Sequence, residues 1–449
     1  MKDQPVRRAL LAGIIASLLP LAAGSVTQDT GHWRGAIQRP AATANALPEP
    51  LVENVAGVST PTLDIARFES IAEALVDGGR IPGLAMAIVK DGKVLSARGY
   101  GITDTHNPQP VDAHTVFRLA SLSKSFAGTM TGILVNDGVL RWDSHLTDYV
   151  PEFRMSRPDA AQQVTVADIL SHRTGLTRNA FDRDLEANAN YHDLTLRIAD
   201  APMTCAPGDC YAYQNVAFSL IGDIVFATTG RFYSESVASR IFKPLGMNDA
   251  SYGLEGLEAS ARWAKPHVRG RGGWVSLTPK PSYYRVAPAA GVNASISDMA
   301  QWLIAHAGHR PDVLPAPLLE TLHTQIVSTP TETRSSEWRR TRLNSAGYAI
   351  GWRDYEYAGH KVVFHGGAVQ GYRGMMALVP EQDFGLVVLW NSESPLPSGL
   401  LPTILDAAFN LPAGQWLDDK TLTTSAVLYA GHQPSNAGTS AAAAKASPP

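Results

Sequence analysis

Strand-like segments lie near both ends of this chain, and helical segments occupy the region between them. Leu84–Val89 and Val94–Gly99 are apolar runs joined by Asp91-Gly92, a dipeptide typical of a tight hairpin turn. Similar short runs return late in the chain, at 346–352, 361–364, 374–379 and 384–390. Because strands need partners, we expect one antiparallel sheet built from N- and C-terminal segments and flanked by helices, with an inserted, mostly helical lobe: an α+β fold.

Composition and turn residues suggest the boundaries of this arrangement. A linker rich in Ala, Pro, Thr and Gly is predicted at 25–61, followed by one folded domain at 62–412. Within that domain, the predicted sheet lobe comprises 62–115 and 344–412, and the helical lobe comprises 116–343. The remaining tail, 413–449, ends in an Ala/Ser/Pro-rich stretch and is expected to be disordered towards the C-terminus.

The first 24 residues have the pattern of an export signal. Positive charges between residues 2 and 8 precede an apolar run at 9–21, and residues 22–24 are small. The apolar run is short for a membrane-spanning helix. We therefore expect an exported protein, periplasmic or secreted, that is soluble after cleavage; an uncleaved signal would leave it anchored in the membrane.

Charge and cysteine content limit the partners and the chemistry. The formal net charge is −3 and no long run of Lys or Arg is present, which argues against nucleic acid as a partner. The chain contains no His-Glu-x-x-His motif and only two cysteines, so we expect neither a zinc site nor a cofactor. Those cysteines, Cys205 and Cys210, flank a turn-forming Ala-Pro-Gly-Asp, and an oxidising compartment permits a disulfide between them. Two free thiols in a loop are the alternative.

A Ser-x-x-Lys motif opens the first helix of the predicted helical lobe. Ser121 and Lys124 are three residues apart, so both lie on one face of a helix that continues to Val135. A serine hydroxyl is a weak nucleophile until a neighbouring group accepts its proton, and a lysine amine can do so. An ordinary exposed helix start is the alternative reading of this motif.

Two further motifs stand far from Ser121 in sequence. Tyr213-Gln214-Asn215 follows a Pro-Gly turn; Tyr213 could act as a base if nearby cations lower its pKa, and Asn215 offers an amide donor and an acceptor. His365-Gly366-Gly367 ends a predicted strand, where glycine lets a substrate lie against the strand edge. The N–H of Ala368 would then pair with that of Ser121 as an oxyanion hole.

The order of these three motifs along the chain resembles the penicillin-recognising serine hydrolases, and more closely the branch of class C β-lactamases, serine esterases and DD-peptidases. The resemblance covers about Leu63 to Pro412. The segments that carry it, besides Tyr213-Gln214-Asn215 and His365-Gly366-Gly367, are Phe117–Lys124, Ile169–Leu176, Pro244–Met247, Pro288–Gly291, Gly371–Gly374 and Leu378–Glu381.

The resemblance implies a role for each motif residue. Ser121 matches the nucleophile, Lys124 its lysine partner and Tyr213 the tyrosine base. Asn215 matches the asparagine that contacts the substrate. His365 stands where class C β-lactamases have the lysine of Lys-Thr-Gly, and this departure counts against β-lactamase activity because histidine is only partly charged at neutral pH.

The sequence thus predicts an exported serine hydrolase that forms an acyl-enzyme on Ser121, most simply an esterase or D-amino-acid peptidase. In the predicted mechanism, Tyr213 takes the Ser121 proton after Lys124 lowers its pKa, although the motif alone leaves either residue as the base. A true β-lactamase, and a penicillin-binding sensor without turnover, are the alternatives. The predicted partner is a small-molecule, peptide or ester substrate; the sequence does not determine an oligomeric state. No Gly-x-Ser-x-Gly occurs, which argues against a Ser-His-Asp hydrolase.

Overall fold

The structure, a computed structural model, describes residues 63–432. The predicted export signal, the linker up to residue 61 and the last part of the predicted tail lie outside the described residues. Within 63–432, no helix combines the length and the apolar character needed to cross a membrane.

Antiparallel strands from both ends of the chain form the central sheet, as predicted. The strands of residues 63–432 are β1 (Gly83–Lys90), β2 (Lys93–Gly101), β3 (Phe117–Arg118), β4 (Ser251–Tyr252), β5 (His267–Gly270), β6 (Gly273–Ser276), β7 (Val292–Ala294), β8 (Val327–Ser328), β9 (Leu343–Tyr348), β10 (Arg353–Tyr357), β11 (His360–Val369), β12 (Tyr372–Val379) and β13 (Phe384–Trp390). Eight of them form one sheet in the order β2-β1-β13-β12-β11-β10-β9-β8. The pairing of β1 with β13, with Leu84 opposite Trp390, joins the N- and C-terminal segments and confirms the α+β fold class.

Helices cover both faces of this sheet and form the inserted lobe. The α-helices of the described chain are α1 (Ile65–Val76), α2 (Ser123–Asn136), α3 (Pro158–Ala161), α4 (Val166–Leu170), α5 (Asp182–Glu186), α6 (Tyr191–Arg197), α7 (Leu220–Thr229), α8 (Tyr233–Val237), α9 (Lys243–Leu245), α10 (Gly253–Glu258), α11 (Ala287–Ala290), α12 (Ile296–Ile304), α13 (Ala316–His323), α14 (Glu337–Arg342), α15 (Leu400–Ala408) and α16 (Asp419–His432). One core layer includes Phe68 of α1 and Ile404 of α15, and the other includes Phe126 of α2 and Trp302 of α12. Every residue of β1 before Lys90 is buried, because the strand is covered on both faces.

Helix α2 runs through the interior of the protein. All of its residues from Ser123 to Leu134 are buried. A Cβ on Gly128 would lie 2.4 Å from the Ile350 carbonyl oxygen, and a Cβ on Gly351, which has φ +73°, would lie 2.3 Å from the Lys124 carbonyl oxygen. Glycine at these two positions therefore lets the loop between β9 and β10 press against the first turns of α2.

Three local features differ from the sequence-based expectations. The sequence pattern predicts a helix that begins at Ser297, with that serine as its cap. In the structure Ser297 lies inside α12, and the cap is Ser295, whose hydroxyl accepts from the Asp298 N–H in a capping box. Strand β10 was not predicted, although its polar and aromatic residues alternate as in a half-buried strand. Helix α16 lies within the predicted tail and packs on α1, where the Tyr429 hydroxyl donates to Asp64 at 2.7 Å.

A pair of histidines is buried behind α2. His306 Nδ1 and His323 Nε2 share a hydrogen bond of 2.9 Å, and the Thr129 hydroxyl lies 3.3 Å from His306 Nε2. Burial lowers the pKa of both rings, that of His323 to about 3. The folded protein therefore holds both imidazoles neutral.

We expect acid to destabilise the protein through these rings. Their folded pKa values lie below the unfolded value of about 6.5, so the unfolded chain takes up protons first as the pH falls. Each ring then costs about 1.4 kcal/mol of unfolding free energy per pH unit below 6.5, until its folded pKa is reached. In urea unfolding at pH 7.5 and 5.0, the His323→Gln variant should lose about 2 kcal/mol less than the wild type.

The matched control is His192→Gln, which replaces an exposed histidine and should leave the pH dependence unchanged. Equal losses of unfolding free energy in the wild type and the His323→Gln variant would contradict this account.

Candidate active site

Ser121 lies in a tight turn that leads into α2. Residues Ala120–Leu122 form a single 3-10 turn, and Ala120 has φ +50°. This left-handed conformation costs an L-residue about 1–2 kcal/mol, and such strain is concentrated at functional sites. The turn leaves Ser121 partly exposed at the wall of a cleft, while the helix that follows it is buried.

The amine of Lys124 is fully buried beside Ser121. Its Nζ lies 3.3 Å from Ser121 Oγ, 2.7 Å from Asn215 Oδ1 and 3.1 Å from the Ala289 carbonyl oxygen. The structure therefore brings together Ser121, Lys124 and Asn215, which come from two separate motifs. Asn215 contacts the lysine directly, a contact that the sequence did not indicate.

Asp182 fixes the orientation of the Asn215 amide. Asn215 Nδ2 donates to Asp182 Oδ2 at 2.8 Å, so the amide oxygen must face Lys124. The amide oxygen and the Ala289 carbonyl can only accept hydrogen bonds. A neutral Lys124 amine thus donates its two N–H groups to the Asn215 and Ala289 oxygens, and its lone pair is left to face the Ser121 hydroxyl.

Burial favours that neutral amine. Desolvation lowers the pKa of Lys124 to about 7; the Asp182 carboxylate opposes this decrease and the Arg353 guanidinium adds to it. Burial thus makes a neutral, basic Lys124 amine accessible near neutral pH, next to Ser121.

Tyr213 lies next to the Lys124 amine, but the pKa of Tyr213 shifts in the direction opposite to that predicted. The Lys124 Nζ lies 4.6 Å from the centre of the Tyr213 ring. Burial raises the pKa of Tyr213 to about 12, and a hydrogen bond with Ser121 and the charge of Arg353 only partly counteract it. The prediction that Lys124 lowers the pKa of Tyr213 is wrong, because loss of hydration outweighs the nearby cations.

His172 supports the tyrosine from behind. Its ring centre lies 4.3 Å from that of Tyr213, its Nδ1 accepts from the Gln214 N–H at 3.1 Å, and its carbonyl accepts from the Ala212 N–H. His172 itself has φ +60°. His172 belongs to Ile169–Leu176, one of the segments that carry the family resemblance, and these contacts give it a structural role behind Tyr213.

His365 lies behind the strand edge and not in the cleft. Its side chain is 1% exposed, and its Nε2 lies 3.0 Å from the hydroxyl of Tyr348, which is itself buried. Burial lowers the pKa of His365 well below its usual value, so the ring is neutral and not partly charged as expected. A direct contact of His365 with substrate is at odds with this burial.

Gly367, after His365, allows β11 to approach the turn that carries Ser121. A Cβ on Gly367 would lie 2.4 Å from the Leu119 carbonyl oxygen and 3.2 Å from the Ser121 nitrogen, so only glycine allows this approach. Gly367 and Ala368 both line the cleft beside Ser121. An oxyanion hole formed by the N–H groups of Ser121 and Ala368 stays a prediction.

The cleft in front of Ser121 has a volume of about 690 Å³ and carries charges that sequence reasoning missed. Glu332 lies between Arg339, at 3.2 Å, and Arg353, at 3.0 Å. Asp182 lines the same cleft, and its Oδ1 is buried without a hydrogen-bond partner among the described residues. No motif singles out these residues, since only the fold brings them near Ser121; Arg353 belongs to the unpredicted β10.

The predicted disulfide is present. Cys205 and Cys210 are bonded, which closes a small loop just before Tyr213. This loop packs on the segment after His172, where the Thr204 N–H donates to the Gly175 carbonyl at 2.8 Å. Among the described residues, no group of His, Cys, Asp and Glu could hold a metal ion.

Comparison with known proteins identifies the class as serine hydrolase. The Beta-lactamase family profile matches residues 68–410, and the chain belongs to that family. It is 26% identical over 335 residues to Unguisins hydrolase ungD' of Aspergillus campestris (strain IBT 28561), an alignment that covers 72% of this chain and 61% of that protein. The chain thus spans about three fifths of the length of that curated relative.

Solved structures agree on the fold. The octameric penicillin-binding protein homologue from Pyrococcus abyssi has a TM-score of 0.69 and 24% identity, with 79% of each chain covered. The D-amino acid amidase from Ochrobactrum anthropi SV3, complexed with L-phenylalanine, has a TM-score of 0.64 and 22% identity, with 78% of this chain and 99% of that chain covered. At these identities the two structures establish the fold alone.

We expect the reactivity of Ser121 to follow the titration of Lys124. The rate of its modification by a fluorophosphonate should rise with pH and level off above a midpoint near 7, because only the neutral amine accepts the serine proton. Lys124→Met should reduce the rate by roughly 100-fold or more. Tyr213→Phe should keep the midpoint near 7. A midpoint above pH 9 in the wild type would contradict Lys124 as the base.

Asp182 should tune that midpoint. Its carboxylate raises the pKa of Lys124, so Asp182→Asn, which keeps an oxygen for Asn215, should move the midpoint to lower pH by about one half to one pH unit. Asp184→Asn is the matched control, because Asp184 lies on the same helix but pairs with Arg197 at the surface. The same pH profile for Asp182→Asn and the wild type would show that the carboxylate does not act on Lys124.

Proposed function

We propose that this protein hydrolyses D-amino-acid amides, peptides or esters through an acyl-enzyme on Ser121. The observation that carries this proposal is the buried Lys124 amine, which lies 3.3 Å from Ser121 Oγ and is held by two obligate acceptors. Such an arrangement serves to remove the proton of a nucleophile at neutral pH.

In the proposed acylation step, the neutral Lys124 amine takes the Ser121 proton as Oγ attacks the substrate carbonyl carbon. The negative charge that develops on the carbonyl oxygen is stabilised by the N–H groups of Ser121 and Ala368, both at the cleft wall. When the bond to the leaving group breaks, that group must receive a proton. Its source is the Lys124 ammonium, relayed through the Tyr213 hydroxyl.

Tyr213 suits a relay better than a base. With a pKa of about 12 it stays protonated at neutral pH, so its hydroxyl can accept one proton while it donates another. In deacylation the same pair works in reverse: Lys124 and Tyr213 draw a proton from water, water attacks the ester of Ser121, and the serine recovers its hydrogen.

The charges of the cleft favour a substrate with groups of both signs. The unpartnered Oδ1 of Asp182 would accept a hydrogen bond from a substrate ammonium. On the other side of the cleft, Arg339 and Arg353 share one carboxylate, that of Glu332, so one positive charge is left over for a substrate carboxylate. Peptides and amino-acid amides carry such groups, whereas simple short-chain esters carry neither.

The similar proteins support hydrolysis of a peptide-like bond. The curated relative is named a hydrolase of unguisins, and one structural neighbour is named a D-amino acid amidase. A β-lactamase is the second candidate, favoured by the family and by the surplus arginine charge. The neutral, buried His365 argues against it, since it provides no cation at the strand edge.

A substrate panel tests the proposal. Purified protein should release p-nitroaniline from D-alanine or D-phenylalanine p-nitroanilide at least 10-fold faster than from the L-forms, and it should also hydrolyse p-nitrophenyl acetate. Nitrocefin and a D-Ala-D-Ala peptide complete the panel. Ser121→Ala should abolish all turnover, and mass spectrometry should find the phosphonate adduct on Ser121 of the wild type.

Asp182→Asn also tests whether Asp182 binds the ammonium group of the substrate. Loss of the carboxylate should raise KM for substrates with a free α-amino group and leave that of p-nitrophenyl acetate nearly unchanged. Nitrocefin turnover without activity on D-amino-acid substrates would contradict the proposal and indicate a β-lactamase instead. A stoichiometric burst without turnover on every substrate would indicate a sensor instead.

A further inference from the structure

A second cleft lies in the helical lobe and shares no lining residue with the main cleft. It has a volume of about 420 Å³ and is bounded by residues of α7 and α11, among them Gly222 and Pro288. The residues proposed for the hydrolase reaction do not line it. Nothing in the proposed hydrolysis therefore explains this cleft.

Five aromatic side chains line the second cleft, which we call the aromatic cleft: Tyr149, Tyr191, Phe226, Phe232 and Tyr233. Phe226 and Phe232 are 49% and 65% exposed, and their rings stack with centres 5.5 Å apart. Large apolar side chains that are exposed next to one another at the rim of a cleft are typical of a binding surface.

Two carboxylates face the same aromatic cleft. Tyr191 donates to Asp223 Oδ2 at 2.6 Å, whereas Asp223 Oδ1 accepts no hydrogen bond from another residue in the described part of the chain. Glu152 lines the cleft as well, and burial together with the Glu152 charge raises the pKa of Asp223. The cation of the cleft, Arg285, directs its Nε to Asn188 at 3.0 Å. The site therefore has an excess of negative charge that a bound cation would neutralise.

We propose that the aromatic cleft binds a small alkylammonium ion. Aromatic faces attract a cation through their electron-rich π systems, and they accommodate its apolar alkyl groups at the same time. The ammonium charge would lie near Asp223 and Glu152, whose mutual repulsion it relieves. A neutral compound of the same shape gains only the apolar contacts.

Choline and its neutral isostere 3,3-dimethylbutan-1-ol form the matched pair of probes. Titrations of the full chain, followed by ligand-observed NMR and calorimetry, should show that choline binds at least 10-fold more tightly than the alcohol. Asp223→Asn and Glu152→Gln should each weaken choline binding at least fivefold. Phe226→Ala, at an exposed ring, should weaken it as well, without loss of the fold as judged by circular dichroism.

Two controls locate the site. Asp312→Asn removes an exposed carboxylate that pairs with Arg310, and it should leave choline binding unchanged. Asp182→Asn, in the main cleft, should also leave choline binding unchanged. In the variants of the aromatic cleft and in Asp312→Asn, Ser121 should be modified at the wild-type rate, whereas Asp182→Asn is exempt from this second control. Equal binding of choline and the alcohol, or choline binding that Asp182→Asn abolishes and Asp223→Asn does not affect, would overturn the proposal.

Discussion

The burial of one amine governs the rest of this structure. Lys124 lies in the first turn of a helix that passes through the interior, and water has no access to its Nζ. Burial of a charged ammonium is unfavourable, so the group loses basicity and becomes able to accept a proton at neutral pH. An ammonium on Lys124 could donate one hydrogen bond to each of the three oxygens around it, those of Ser121, Asn215 and Ala289. A neutral amine could still donate to the Asn215 and Ala289 oxygens. The same pocket thus accommodates both protonation states through a reaction cycle.

The architecture around the amine follows from that constraint. Asn215 comes from the segment before α7, Ala289 from α11, and Ser121 from the turn before α2. Gly128 and Gly351 let the β9–β10 loop lie against the helix, and Gly367 lets β11 approach the turn that carries Ser121. A Cβ at any of these glycines would collide with a backbone carbonyl oxygen of the neighbouring segment.

Much of the candidate site could be predicted from short-range sequence patterns. Ser121 and Lys124 face each other because helical spacing puts residues three apart on one side, a rule that holds whatever the surroundings. The hairpin at Asp91-Gly92 and the strands around it follow equally from local turn chemistry. Arg353 and Asp182 could not be found in this way, since they are close to Ser121 only through the packing of β10 and α5 against distant segments.

The sequence by itself determined the fold class and the Ser-x-x-Lys motif, and it made a disulfide between the two cysteines possible, because these depend on periodicity, turn residues and residue identity. The tertiary structure decided the charges. Burial raised the pKa of Tyr213 to about 12, lowered that of His365 behind the strand well below its usual value, and lowered that of Lys124 to about 7. A pKa depends on how much water the folded chain excludes and on which charges it brings within a few ångströms, and neither quantity is local in sequence.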